Sequence, residues 1–201
     1  NELSGPIVLC ALLDYVLKKY PKPKMSYRFI LLPETIGSIA YLSRYGDDLK
    51  KDLHCGFHLS CVGDERAYSY VKTPYANTLA DKVLESALLG RDNFKSYSYL
   101  DRGSDERQWC SPGFRLPVCT FCRSKFGEYP EYHTSGDDFS VVSEEGLQGS
   151  LDVLKSIVDA FEFGENPKVV LPCEPQMGKR NLYPNISCLY SERHPAAERM
   201  D

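Results

Sequence analysis

The 201-residue chain is 42% apolar and 26% charged, the balance of a globular domain with a core rather than of a disordered segment. Twenty-four basic against 28 acidic residues leave a net charge of -4, which excludes a chain built to coat nucleic acid. No apolar run approaches the roughly 18–20 residues of a membrane helix, and no basic segment followed by an apolar one reads as a secretory leader. The first residue is Asn1 rather than Met, and Leu3 leads at once into a helical pattern. A piece of a longer protein is expected from that start.

The elements follow in order. Val8, Leu12, Tyr15, Val16 and Tyr20 keep helical spacing over 4–20, with Ser4 as the expected N-cap and Pro21-Lys-Pro23 as the stop. Tyr27–Leu32 is a short continuous apolar run that reads as a buried strand, ending at Pro33-Glu34-Thr35. A second helix continues through Ile39 and Leu42. Leu53–Val62 reads as another buried strand closing at Gly63-Asp64, and Tyr68–Val71 alternates as a third. Thr78 and Asp81 form a capping box before a helix carrying Leu79, Val83, Ala87 and Leu88. Phe94, Tyr97 and Tyr99 mark a further strand. The stretch 101–138 is polar, rich in Gly and Pro, and reads as one long functional loop holding Trp109. A last helix spans about 143–161, and the proline-rich 165–201 reads as a connector leaving a domain of 1–164.

Helices and strands in alternation predict an α/β fold, a three-layer α/β/α sandwich on a mixed, mostly parallel sheet. Ligand crevices in such sheets lie beyond the carboxyl ends of strands, where Glu34 and Asp64 each stand. A cap or turn role is open to both. Of four histidines, His133 sits in the long loop beside Tyr132 and close to Asp137 and Asp138, the setting of metal binding or proton transfer. His54 and His58 read as structural, and His194 as a solvated tail residue. Eight cysteines are present. Several fall inside apolar elements rather than in loops, which favours a reduced, cytoplasmic chain over a disulfide scaffold. Cys119-Thr-Phe-Cys122 lacks the second ligand pair of a structural zinc site and reads as two free thiols on a strand and its turn.

Taken together, Asn1-Glu-Leu-Ser-Gly5, the acid at a strand end, Gly103-Ser-Asp105 with Gly113-Phe-Arg-Leu-Pro117, and Tyr132-His-Thr134 resemble zinc aminopeptidases of the co-catalytic metallopeptidase type, in the same order. Leu32-Pro-Glu-Thr-Ile-Gly37, Cys61-Val-Gly-Asp64, Arg107-Gln-Trp-Cys-Ser-Pro-Gly-Phe114 and Gly178-Lys-Arg-Asn-Leu-Tyr-Pro184 look like a bacterial branch of aminopeptidase-like proteins associated with polysaccharide biosynthesis. The resemblance implies Glu34 as general base for a metal-bound water and Tyr132 as the group steadying a carbonyl oxygen. It implies His133 as a zinc ligand, with Asn1 where the peptidases carry a carboxylate and Asp64 as a nearby substitute for a third ligand. Thr35 and Ser60 stand where ligating acids are usual, and the first histidine ligand would precede Asn1. A single zinc ion, incompletely held within this chain, is therefore expected.

Two functions follow from the resemblance. The first is a zinc-dependent hydrolase acting on a peptide or an amide-linked small molecule, with no nucleic acid or membrane partner. The second is a degenerate, non-catalytic binding or scaffolding module on the same fold, favoured by the losses at Asn1, Thr35 and Ser60. A third reading, in which the acids and His133 serve only turns and caps, is disfavoured by the ordered motif set.

Overall fold

The computed structural model describes residues 1–164 together with Cys173, Gln176 and Gly178–Arg180. The chain parts into two units, Asn1–Gly164 and Glu165–Asp201, and the first carries every element discussed below. The connector expected over 165–201 lies almost wholly outside the described residues.

Helix α1 (Ser4–Lys19) buries Val8, Leu12 and Val16 on one stripe. Ser4 is not its N-cap. The serine lies inside the first turn, donates to the Asn1 carbonyl at 2.6 Å and accepts from the Val62 amide at 3.0 Å. It therefore ties the chain start to a distant loop instead of capping a helix. Tyr27–Leu32, expected as a strand, joins no ladder among the described residues. Glu162 holds the start of this extended segment by accepting from the amides of Lys24 and Met25 and the hydroxyl of Tyr27. Tyr27 and Phe29 pack on one core and Ile30 on another, a strand-like alternation without backbone pairing. Helix α2 (Ile36–Asp52) follows.

The sheet holds β1 (Gly56–Leu59), β2 (Tyr68–Val71), β3 (Phe94–Tyr97) and β4 (Val118–Cys122) in the order β1-β4-β2-β3. β1/β4 and β2/β3 are parallel and β2/β4 antiparallel, so the sheet is mixed with parallel pairs in the majority. Central β4 falls within the stretch expected as one long loop, where Cys119–Cys122 alone reads as a strand and its turn, and the full burial of its five residues is set by neighbours distant in sequence. The same stretch also contains the short helix α4 (Glu106–Trp109). Helix α3 (Leu79–Leu88) opens on the expected capping box of Thr78 and Asp81. Helix α5 (Glu144–Phe163) is capped by the Ser143 hydroxyl, which accepts from the Gly146 amide.

Alternation along β4 builds the layers. Cys119 and Phe121 enter the core shared with α1, α3 and α5, while Val118 packs with Leu42, Leu49 and Trp109 of α2 and α4. Cys122 falls in a third cluster with Cys61 and Val71. Neighbouring strand residues face opposite ways, so the two thiols of Cys119-Thr-Phe-Cys122 stand on opposite faces and cannot share a metal or form a bond. Burial raises both well above the ordinary thiol range. The seven described cysteines are all free.

Candidate functional site

Glu34 leaves the extended segment at a strained turn. Thr35 has φ 61° and ψ -71°, and the Ile36 amide donates back to the Glu34 carbonyl at 2.7 Å. This is a γ-turn of the rare, strained kind, here centred on a β-branched residue, and such backbone costs about 1–3 kcal/mol unless its surroundings hold it. Three consecutive residues hold it. Ser104 donates its hydroxyl to Glu34 Oε1 at 2.8 Å. Asp105 accepts from the Thr35 amide at 2.7 Å and from the Ser38 hydroxyl at 2.8 Å, and Ser38 in turn accepts from the Trp109 indole at 3.1 Å. Glu106 accepts from the amides of Gly103 at 2.7 Å and Ser104 at 3.1 Å, fixing the turn that presents the serine.

Tyr132 is half-buried among aromatic rings, with Tyr129 edge-on at 5.7 Å and the His133 ring stacked at 4.0 Å. Burial lifts its phenol above the ordinary value, and the negative charges of Glu2 and Glu34 push the same way. At neutral pH the phenol is a hydrogen-bond donor. His133 sits at φ 56°, 69% exposed, with Nε2 3.8 Å from Glu2 Oε1. Tyr132 and His133 stack on each other beside Glu2, and Glu34 is held at its own turn by Ser104.

Asp64 and Asn1 belong elsewhere. Asp64 is 1% exposed and accepts from the Ser124 amide at 2.9 Å, the Ser124 hydroxyl at 2.7 Å, the Arg66 amide at 3.0 Å and Asn1 Nδ2 at 3.3 Å. Asn1 Oδ1 accepts from the Gly63 amide at 2.9 Å, and its amino group pairs with Asp137. Both side chains are therefore committed to clasping the loops after β1 and β4.

The zinc ion implied by the resemblance was expected at Asn1, Asp64 and His133, and as placed these residues do not fit one. A divalent cation needs free lone pairs converging on a point. Here both Asp64 oxygens and the Asn1 amide oxygen are occupied by protein donors, and His133 faces Glu2 in solvent. Among the described residues no three of His, Cys, Asp and Glu gather to hold an ion. An open cleft of about 430 Å³ lies beyond β2 and β3, lined by Lys72, Thr73, Tyr97 and Leu100 among others. None of the expected site residues reaches it.

Residues 1–164 match the profile of a domain of unknown function, DUF4910. The chain belongs to the DUF4910 family. A Clostridium acetobutylicum protein named for polysaccharide biosynthesis and an aminopeptidase-like domain is 38% identical over 190 residues, which are 91% of this chain and 42% of that protein. A crystal structure from the same organism, titled as a peptidase, superposes with a TM-score of 0.76 at 35% identity, over 90% of this chain and 42% of that one. A zinc aminopeptidase from Bacillus subtilis shares the fold, at TM-score 0.51 and 22% identity, over 62% of this chain and 32% of its own. The chain thus spans less than half the length of the relatives it matches, and its fold is the aminopeptidase-like α/β sandwich. No described helix is long and apolar enough to cross a membrane.

Gly103-Ser-Asp105 carries no role legible in the sequence, and His58 reads there as structural. The available signal was three polar residues in succession, Ser104-Asp-Glu106, just ahead of the only tryptophan. Which backbone they serve is a tertiary fact.

Proposed function

We propose that this chain carries the acid–base part of an amide-hydrolysing centre in an aminopeptidase-like protein, with Glu34 as general base. The observation that carries the reading is the triple support of the Glu34 turn by Ser104, Asp105 and Glu106. Strained backbone beside a carboxylate is retained where the carboxylate's position matters. Glu34 would accept a proton from the attacking water and return it to the departing amine. Tyr132, held protonated by burial, would donate to the carbonyl oxygen as charge develops there. The substrate is a peptide or an amide-linked small molecule, and the naming of the Clostridium relative supports amide-bearing sugars of polysaccharide biosynthesis. Free, buried thiols support a reducing, cytoplasmic setting.

The Asn1–Asp64 clasp favours a second reading, a non-catalytic binding module, because both Asp64 oxygens are already occupied by protein donors. One experiment separates the two. The complete gene product is assayed for amine release from aminoacyl anilides and N-acylated sugars, beside Glu34→Gln. The hydrolase reading expects at least about a hundredfold loss of kcat in the variant, with unchanged circular dichroism. Undiminished turnover by Glu34→Gln removes Glu34 from the role. Amide binding without turnover by the wild type establishes the module instead.

A further inference from the structure

His58 is a strand residue whose hydrogen bonds define its chemistry. It stands on β1 directly opposite Thr120 on β4, with Nδ1 3.3 Å from Thr120 Oγ1. The Thr120 hydroxyl donates to Glu106 Oε2 at 3.1 Å, and His58 Nδ1 is itself 3.7 Å from that oxygen. Glu106 is 1% exposed, and its other oxygen accepts the two amides that present Ser104 to Glu34.

Counting hydrogens settles the direction of the chain. A carboxylate only accepts, so the single hydroxyl hydrogen of Thr120 goes to Glu106. The threonine oxygen is then an acceptor towards His58, and the ring hydrogen must sit on Nδ1. The Nε2 atom has no protein partner among the described residues, and the side chain keeps 21% exposure. Burial pushes the imidazole below its ordinary value, against the pull of the carboxylates of Glu106, Asp105 and Glu34. The ring is accordingly neutral at pH 7. An imidazole oriented by a hydroxyl and a buried carboxylate, with its second nitrogen open, is prepared to accept a hydrogen bond or a proton there.

We propose that Glu106 and Thr120 fix His58 as its Nδ1–H tautomer, so that Nε2 is a further acceptor of the Glu34 centre and receives an N–H hydrogen of the bound amide. Glu106 thereby serves both side chains, orienting Glu34 through Ser104 and His58 through Thr120. The substrate contact rests on the amide-hydrolase reading above, whereas the tautomer does not.

The test is a long-range 1H–15N correlation spectrum of the histidine rings in the 15N-labelled chain, with His58 assigned by the disappearance of its signals in His58→Asn. The expected result is a proton on Nδ1 and a bare Nε2. In Glu106→Gln the amide presents hydrogens to Thr120, the hydroxyl turns to donate to Nδ1, and the ring switches to Nε2–H. A wild-type ring protonated on Nε2 overturns the proposal, and that spectrum decides even if Glu106→Gln does not fold. His58→Asn keeps a donor near the Nδ1 position and removes the Nε2 acceptor. On the amide substrates its KM should rise about tenfold, and an unchanged KM overturns the substrate contact. Full turnover by Glu34→Gln defeats the general-base reading and leaves the tautomer result standing.

Discussion

Asp64 and Glu131 are both carboxylates near the loop after β1, and their surroundings give them opposite characters. Asp64 is buried and satisfied by four neutral donors, so it acts as a rigid joint between the loops after β1 and β4. Glu131 is accessible and meets Arg66 in a two-pronged pair at 2.8 Å on both oxygens. That hydrogen bonding pulls its carboxyl from the ordinary value down to about 2. A depressed carboxyl stabilises the fold above its unfolded value of roughly 4 and loses that contribution as pH falls through the folded value. Arg66→Ala should therefore return the Glu131 titration to the ordinary carboxylate range, read by carbon NMR of the side-chain carboxyl. Because the pair is exposed, added salt should weaken it in the wild type. Neither behaviour is legible from the letters, since Arg66 and Glu131 lie 65 positions apart.

Among the elements, α5 seats the loop that carries Asp64, and it does so through a glycine. A Cβ at Gly146 would collide with the Gly63 carbonyl, because the first turn of α5 lies directly on the loop that ends in Asp64. The neighbouring Ser150 donates to the Val62 carbonyl at 2.6 Å, and the Ser143 amide donates to the Gly63 carbonyl at 3.0 Å. Backbone cannot yield as a flexible side chain can, so Gly146→Ala must push helix and loop apart. A loss of about 3 kcal/mol is expected, measured by urea unfolding, together with changed amide shifts at Asp64 and Ser124. Unchanged stability and shifts would show that the helix seats elsewhere. Helical periodicity announced α5, and Ser143 announced its start. The absence of any side chain at position 146 carried the packing information, and sequence spacing does not reveal what a glycine approaches.

At the scale of the molecule, β4 is the keystone. It pairs with β1 on one side and β2 on the other, and its Phe121 is fully buried against α1, α3 and α5. Phe121→Ala should cost about 3–5 kcal/mol, and because both halves of the sheet hang on β4 the unfolding should remain a single transition by fluorescence and circular dichroism. Separate transitions would mean that the two halves are stable without their shared strand. By itself the sequence determined the helices α1, α2, α3 and α5, the strands β1, β2 and β3, the α/β class and the resemblance to an aminopeptidase-like lineage. These features rest on periodicity, caps and local motifs, which operate within a few residues. Tertiary structure alone decided that Tyr27–Leu32 lacks a ladder, that the strand at Cys119–Cys122 lies inside the sheet between β1 and β2, and that Ser104, Asp105 and Glu106 brace Glu34. It also decided that Asp64 is clasped by Asn1 and Ser124 instead of open to a metal, and that Glu106 reaches His58 through Thr120. Each of these depends on which donor meets which acceptor in the folded chain, and a hydrogen bond between residues far apart in sequence leaves no periodic trace.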